Sequence, residues 1–490
     1  MISTSTFRPS TLAAAVAVFA AALVHAPLNA QDAKAAVAKS IDAQQGHYAD
    51  VAEQIWGFAE LGFQEHQSSA LLQQQLRDAG FSVRAGVSEM PTAFVAEWGS
   101  GKPVIGILAE FDALPGLSQD TVPFRKVLAQ GGSGHGCGHN LFGTASTAAA
   151  IAVKQWLEQR HTSGTIRLYG TPAEEGGDGK VYMAMDGQFQ DVDAVLVWHP
   201  GDGNDASPSH DLAMISAYFR FHGVSAHAAA APDRGRSALD AVEAMDVMVN
   251  MMREHVPQTT RIHYVIRHGG LAPNVVPDFA ETEYYVRHPS ADTARAIFER
   301  VVDAAKGAAL GTGTTMDYEI FGGTYNALPN LTLAKLMDAN LHRVGGVTYT
   351  PSETQFARQL QTTLGEHPPA LASASEIQPL DTTRMTYASS DVGDVSWVVP
   401  TTSLNTATWV PGTAAHTWQA VAADGMSIGA KGLIVAAKTI AMTAVDLFTS
   451  PKALQQARAE FEQRRGSGFE YRSLIGDRKP ALDYRKGSDR

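Results

Sequence analysis

The chain has 490 residues, 44% hydrophobic and 18% charged, a balance that builds packed cores and excludes an intrinsically disordered protein. That length suits two domains better than one. A formal net charge of −12 argues against nucleic acid and anionic membrane surfaces as partners, but local cations are free to hold an acidic small molecule.

The N-terminus reads as a signal peptide over residues 1–30. Arg8 is the only charge before Asp32, and Leu12 to Val24 is an alanine-rich apolar run too short to span a bilayer. The expected cut follows Ala30, although Leu28 is larger than the residue usual there. The mature protein is therefore expected to be periplasmic or secreted, with no membrane segment of its own. Past the leader, three short apolar runs bounded by turn residues read as buried strands. Pro103 to Ala109 runs into Glu110-Phe111-Asp112, Thr165 to Gly170 into Thr171-Pro172-Ala173-Glu174-Glu175, and Val192 to Trp198 into His199-Pro200. Alternation with helical stretches such as Asn140 to Gln159 predicts an α/β sheet, whose ligands collect beyond the carboxyl ends of the strands.

From Asp211 the pattern changes. Strand Ala213–Phe221, helix Ser237–His255, strands Arg261–Arg267 and Ala280–Arg287, helix Thr293–Leu310 and strand Thr314–Phe321 give the order β-α-β-β-α-β of ferredoxin-like α+β units. The expected organisation is a catalytic domain in two parts, 31–210 and 328–449, interrupted by an inserted domain over 211–327. One face or edge of the inserted sheet is left to pair with another subunit. Residues 450–490 read as a charged short helix, with Arg458, Glu460, Glu462, Arg464 and Arg465, followed by a polar tail from Gly466 that hugs the surface and carries no chemistry.

The chemistry gathers around the only cysteine, in Ser133-Gly134-His135-Gly136-Cys137-Gly138-His139-Asn140. A thiol and an imidazole two residues apart in a glycine-rich turn suit metal ligation; a free cysteine is equally at home as a small buried hydrophobe. Cys137, His139, Glu175, His199 and His416 form a candidate ligand set of thiol, imidazole and carboxylate, with Glu174 as general base beside it. Amide hydrolysis needs an activated water, a polarised carbonyl and a proton for the leaving amine, which a metal pair and a neighbouring carboxylate supply. Each residue also has a plainer reading: Glu174-Glu175 as a solvated turn, His199 as a hydrogen-bonded structural histidine, His416 as a helix cap. With 17 histidines in the chain, choosing three proves little by itself; their position at strand ends is what singles them out.

Four segments in order, Gly134 to Gly143, Pro172 to Gly176, Ser390 to Trp397 and Gly412 to Trp418, resemble the M20 family of metallopeptidases and amidohydrolases. Within it the likeness is to the p-aminobenzoyl-glutamate hydrolase branch. The resemblance implies a two-domain fold with a lid and dimerisation domain, and two divalent metal ions, Zn or Mn, bridged by Cys137 in place of an aspartate. It implies His139 and Glu175 on one metal and His199 and His416 on the other, Glu174 as the base, and Asp112 and Asp391 supporting the ligands from behind, as Glu110 would. It also implies that His227 reaches the partner subunit's site to stabilise the oxyanion, and that Asn274 and Arg287 contact substrate, Arg287 through its free carboxylate. The activity implied is cleavage of N-acyl or N-aroyl amino acids, p-aminobenzoyl-glutamate foremost, by a homodimer or a heterodimer with a paralogue. A dipeptidase or aminoacylase of the same fold, and a non-catalytic metal-binding chain needing such a paralogue, are the alternatives.

Overall fold

The computed structural model describes residues 1–5, 30–208 and 210–486. Except for its exposed first five residues and Ala30, the expected leader lies outside the described residues. Among the described residues ten strands form two sheets, and the first carries the site. Its strands are β1 Ser82–Ala85, β2 Phe94–Ser100, β3 Val104–Ala109, β4 Gly164–Gly170, β5 Ala194–Gly201 and, much later in the chain, β10 Thr401–Ala407, in the order β1-β2-β4-β3-β5-β10. β4, β3, β5 and β10 run parallel, while β1 and β2 add an antiparallel edge. All six residues of β3 are buried, as an interior parallel strand covered on both faces requires. Ile105, Ile107 and Leu108 are each 0% exposed, and full burial of such a side chain is worth about 1.5–3 kcal/mol.

The helix His139–Arg160 lies against the helix Ser427–Thr449. Alanines at 145, 148, 149 and 150 make the first helix thin. Gly432 on the second sits where a Cβ would press on the Ala407 carbonyl, so the helix can lie directly on the end of β10. The register aligns Ala109 with Gly170 and His199 with Asn405. Glu110–Asp112, Thr171–Glu175 and His199 consequently emerge along one edge. β5 extends to Gly201, so His199 lies within the strand rather than just past it.

The second sheet, order β7-β8-β6-β9, is wholly antiparallel. Along the chain come β6 Ala213–His222, the helix Ala238–Met252, β7 Arg261–His268, β8 Phe279–His288, the helix Ala291–Thr312 and β9 Thr315–Thr324. Side chains such as Phe219, Val242, Met245, Tyr284, Ile297 and Phe298 form a separate core between sheet and helices. Asp211, just before β6, accepts a hydrogen bond from the Ala327 N–H just after β9, tying together the chain's two crossings into this unit. β7 is an edge strand with seven of its eight residues exposed, including Tyr264, Val265 and Ile266.

The C-terminal expectation needs correction. The helix Pro451–Arg465 is present, but the segment after it does more than hug the surface. Leu474 and Ile475 are only 4% and 5% exposed and enter the second and first cores respectively. Composition concealed this, because a polar, turn-rich segment looks the same whether it covers solvent-facing surface or a functional loop. Residues 487–490 lie outside the described residues.

Candidate active site

Two glycines bring the Cys137 turn close to its neighbours. A Cβ on Gly138 (φ +74°) would meet the Pro200 ring at 2.7 Å, and one on Gly136 would meet Leu117 at 2.6 Å and the His416 Cα at 3.4 Å. The turn can thus lie directly on the end of β5 and on the loop of His416, whose N–H donates to the Gly136 carbonyl (2.8 Å). His416 itself has φ +61°, a left-handed conformation uncommon outside glycine. Glu174 and Glu175 lie in a turn just past β4, between Ala173 (φ +57°) and Gly176 (φ +89°).

All five candidate ligands meet. Cys137, His139 and His199 offer ligand atoms within 4.8 Å of one another, and so do Cys137, Glu175 and His416. Cys137 is therefore common to both groups, the position a bridging ligand needs. In these two groups His139 stands with His199, and Glu175 with His416, whereas the resemblance implied His139 with Glu175; a third group, Glu110, His139 and Glu174, also contains His139. The close approach of Gly138 to Pro200 sets the helix start at His139 beside His199, with ring centroids 5.8 Å apart; Glu175 meets the His416 loop, with Oε1 3.1 Å from Nε2. Cys137 Sγ lies 3.4 Å from His199 Nε2, and the His199 Nδ1 faces the Pro200 carbonyl at 2.7 Å. That carbonyl fixes the proton on Nδ1 and turns the Nε2 lone pair toward Cys137. Asp112 holds the His139 Nδ1 through Oδ1 (2.9 Å) and accepts the Glu175 N–H through Oδ2 (2.9 Å). One carboxylate thereby orients a residue from each group, the support expected behind metal ligands.

The donors fit divalent cations. His139 Nε2, Glu110 Oε2 and Glu175 Oε1 are buried without a hydrogen-bond partner, although buried polar atoms are nearly always paired. His139 Nε2 and Glu110 Oε2 lie only 3.1 Å apart, as do Glu175 Oε1 and His416 Nε2, yet without hydrogen-bond direction. The electrostatics also call for positive charge. Burial, reinforced by Glu175, pushes the Cys137 thiol well above its usual range. Burial together with Glu110, Glu175 and Asp391 raises Glu174 well above the carboxylate range, against the pull of Lys180. Burial opposes charge on His139, but Cys137, Asp112 and Glu110 outweigh it and raise its pKa well above the usual imidazole range. Burial and the charge of His139 lower His199 to about 4.

Lys180 escaped sequence reasoning. It is fully buried, with Nζ 2.7 Å from both Glu110 Oε1 and Asp391 Oδ1, and its N–H donates to Asp391 Oδ2 (2.9 Å). Asp391 thus reaches the ligands only through Lys180 and Glu110. A lysine six residues after Glu174 was the one available signal. Glu65 was also missed: its Oε1 accepts the Ala173 N–H (2.8 Å) at the left-handed residue before Glu174.

The remaining candidates belong to the second sheet. His227 is exposed, and its Nδ1 accepts the N–H groups of Ala229 and Ala230 (3.2 and 3.1 Å), which leaves the ring proton on Nε2. Its loop pairs with that of Asn274, whose carbonyl accepts the Ala228 N–H (3.0 Å). Among the described residues neither side chain bonds to the Cys137 cluster. Arg287 is half-buried; its Nη1 donates to Ser389 Oγ (3.1 Å), its Nε has no partner, and no carboxylate among the described residues pairs with it.

Residues 106–372 match the model of peptidase family M20/M25/M40. The chain is 42% identical over 450 residues to one of the subunits of Escherichia coli p-aminobenzoyl-glutamate hydrolase, covering 86% of this chain and 94% of that one. It is 30% identical over 452 residues to mouse Xaa-Arg dipeptidase, covering 88% and 92%. Among solved structures, a putative aminohydrolase from methicillin-resistant Staphylococcus aureus shares the fold at TM-score 0.64 and 18% identity, over 85% of this chain and 100% of that one. A dinuclear metal-binding M20 peptidase from Bacillus subtilis does so at TM-score 0.57 and 19% identity, over 83% and 99%.

Proposed function

The chain belongs to peptidase family M20/M25/M40 and is a hydrolase of amide bonds, and from that premise we propose that it releases glutamate from p-aminobenzoyl-glutamate or a close N-aroyl amino acid. The observation that carries the substrate is the 42% identity to a p-aminobenzoyl-glutamate hydrolase chain along nearly its whole length. Arg287 supports it: a half-buried guanidinium with no carboxylate partner among the described residues suits the free carboxylate of an amino-acid leaving group.

Two divalent cations, Zn or Mn by the mixed thiol, imidazole and carboxylate donor set, would be held by Cys137, His139 and His199 and by Cys137, Glu175 and His416. Bound there, they supply Lewis acidity and an acidified water. Glu174 takes the proton of the attacking water and passes it to the departing amine nitrogen; its raised proton affinity in this buried, anionic setting suits both halves of the transfer. Asp112 keeps His139 and the Glu175 turn in register. His227, with Nε2–H as its outward donor, stabilises the oxyanion in the site of a second protomer, and Asn274 on the paired loop touches the same substrate. The edge strand β7, which exposes Tyr264, Val265 and Ile266, is the surface on which two such units join. The reading includes export to the periplasm or beyond, on the strength of the leader sequence.

A dipeptidase of the same chemistry is the second reading, favoured by the 30% identity to Xaa-Arg dipeptidase. The E. coli hydrolase has another component chain that is itself 26% identical to this one, so a heteromeric enzyme with such a paralogue is the alternative assembly. The deciding experiment strips the leaderless chain of metal, restores Mn²⁺ or Zn²⁺, and measures glutamate release. Metal-restored release is the expected result. Two metals bound with no release, alone or with that paralogue added, but with turnover of Xaa-Arg dipeptides, would replace the first reading with the second.

A further inference from the structure

The segment after the helix Pro451–Arg465 crosses from the second core to the first and ends on the turn that carries Glu174 and Glu175. Phe469 packs on Trp397 (ring centroids 4.8 Å apart), Tyr471 Oη donates to Asp394 Oδ1 (2.6 Å), and the Arg472 carbonyl accepts from Tyr325 Oη (2.9 Å). Arg478 Nη1 then donates to the Ile320 carbonyl in β9 (2.7 Å), and Gln64 Nε2 donates to the Leu482 carbonyl (2.8 Å). At the end, the Tyr484 ring stands edge-on to Phe63 (5.7 Å), and its hydroxyl donates to the main-chain carbonyl of Glu175 (3.0 Å). Arg485 Nη2 donates to the same oxygen (2.6 Å). The socket is shaped for this phenol: a Cβ on Gly62 would collide with the Tyr484 hydroxyl.

We propose that Tyr484 and Arg485 are positioning residues for hydrolysis, fixing the Glu174–Gly177 turn through the Glu175 carbonyl so that the base and the ligand face the site together. The inference rests on the roles given above to Glu174 and Glu175. The turn needs such a hold. It is entered through a left-handed alanine, Ala173, and passes through a left-handed Gly176, and a non-glycine residue persists in that region only where its surroundings enforce it. Asp112 and Glu65 grip the turn from the sheet side, at the Glu175 and Ala173 N–H groups. Tyr484 and Arg485 supply the opposite grip, on the carbonyl. Displacing a reacting group by about 1 Å suffices to lower a rate up to a hundredfold, and a loosened carbonyl displaces both side chains of the turn.

The test compares Tyr484→Phe, which removes one hydroxyl from the full-length chain, with wild type. On whichever amide the wild type cleaves, the variant should lose about tenfold in kcat, with KM within about twofold. In the metal-free proteins, amide hydrogen exchange across residues 172–180 should accelerate in the variant, while exchange in the helix His139–Arg160 stays unchanged. Arg485→Met should show the same pattern, which keeps the question decidable if Tyr484→Phe folds poorly. Wild-type kcat with unaltered exchange in both variants would overturn the proposal and leave the tail as packing. Exchange that rises across the whole molecule, with Tm falling in proportion to kcat, would overturn it too. A wild type inert on every amide would sink the catalytic roles of Glu174 and Glu175 instead, and the exchange measurement would still decide whether the tail holds the turn.

Discussion

Replacing Lys180 with methionine should be the most destabilising single change near the site. The ammonium is fully buried, with Glu110 and Asp391 each 2.7 Å from Nζ. Methionine keeps most of the volume, so packing changes little and the effect is electrostatic: two buried carboxylates lose their shared cation. Breaking a buried pair by deleting one partner costs about 3–5 kcal/mol, most of it from the stranded charge. In a domain of this size that corresponds to a fall in Tm of roughly 10 °C. The stranded carboxylates would bind protons more tightly folded than unfolded. The deficit should therefore be full above their raised pKa and vanish as pH falls below the ordinary carboxylate range. Thermal unfolding followed by circular dichroism from pH 4 to 8 measures it. Adding Glu110→Gln and Asp391→Asn to Lys180→Met should recover most of the loss, because the charges disappear together. A Lys180→Met chain within about 1 kcal/mol of wild type at pH 8, or a triple variant no more stable than the single one, would refute the reasoning.

Cys137→Ser should lower the affinity for both cations together, and His416→Ala chiefly for one, since Cys137 belongs to both ligand groups and His416 to one; metal content after dialysis against graded chelator separates them. Burial lifts Asp211 to about 7, so its proton is held more tightly folded than unfolded. Its contribution to stability is full below the ordinary carboxylate range and lost as pH rises toward 7, and Asp211→Asn should flatten that part of the stability–pH curve measured by urea unfolding. Glu174→Ala should retain metal and lose turnover by about a hundredfold or more. If His227 serves the partner's site, His227→Ala is also nearly inactive, yet an equal mixture of the two variants regains about a quarter of wild-type activity through hybrid dimers. No recovery once exchange between dimers has been demonstrated would confine His227 to its own protomer.

Much of the site could be read because the chemistry sits where local sequence changes character. Apolar runs stop at Glu110, Thr171 and His199, and parallel pairing alone then lines those ends up. The β-α-β-β-α-β order of the second sheet was legible from periodicity for the same reason. What stayed hidden depends on contacts between distant residues of ordinary composition. Tyr484 meets Glu175 across 309 residues, and nothing in a polar, turn-rich tail distinguishes that destination from open solvent. Lys180 looks like any lysine after a glycine-rich turn until Glu110 and Asp391 close on it from two other elements. The meeting of Glu175 with His416 was likewise beyond reach: they follow β4 and β10, which are not neighbours in the sheet, and a list of ligand types does not contain the loop path that joins them.

Cys137 is the only thiol in 490 residues and sits, 6% exposed, where both ligand groups meet. Under denaturing conditions a disulfide reagent should therefore titrate one thiol per chain, with no background from other cysteines to subtract. The same solitude makes the protein a clean host for a single reporter: a spectroscopic metal or label attached at that sulfur sees the middle of the site and nothing else.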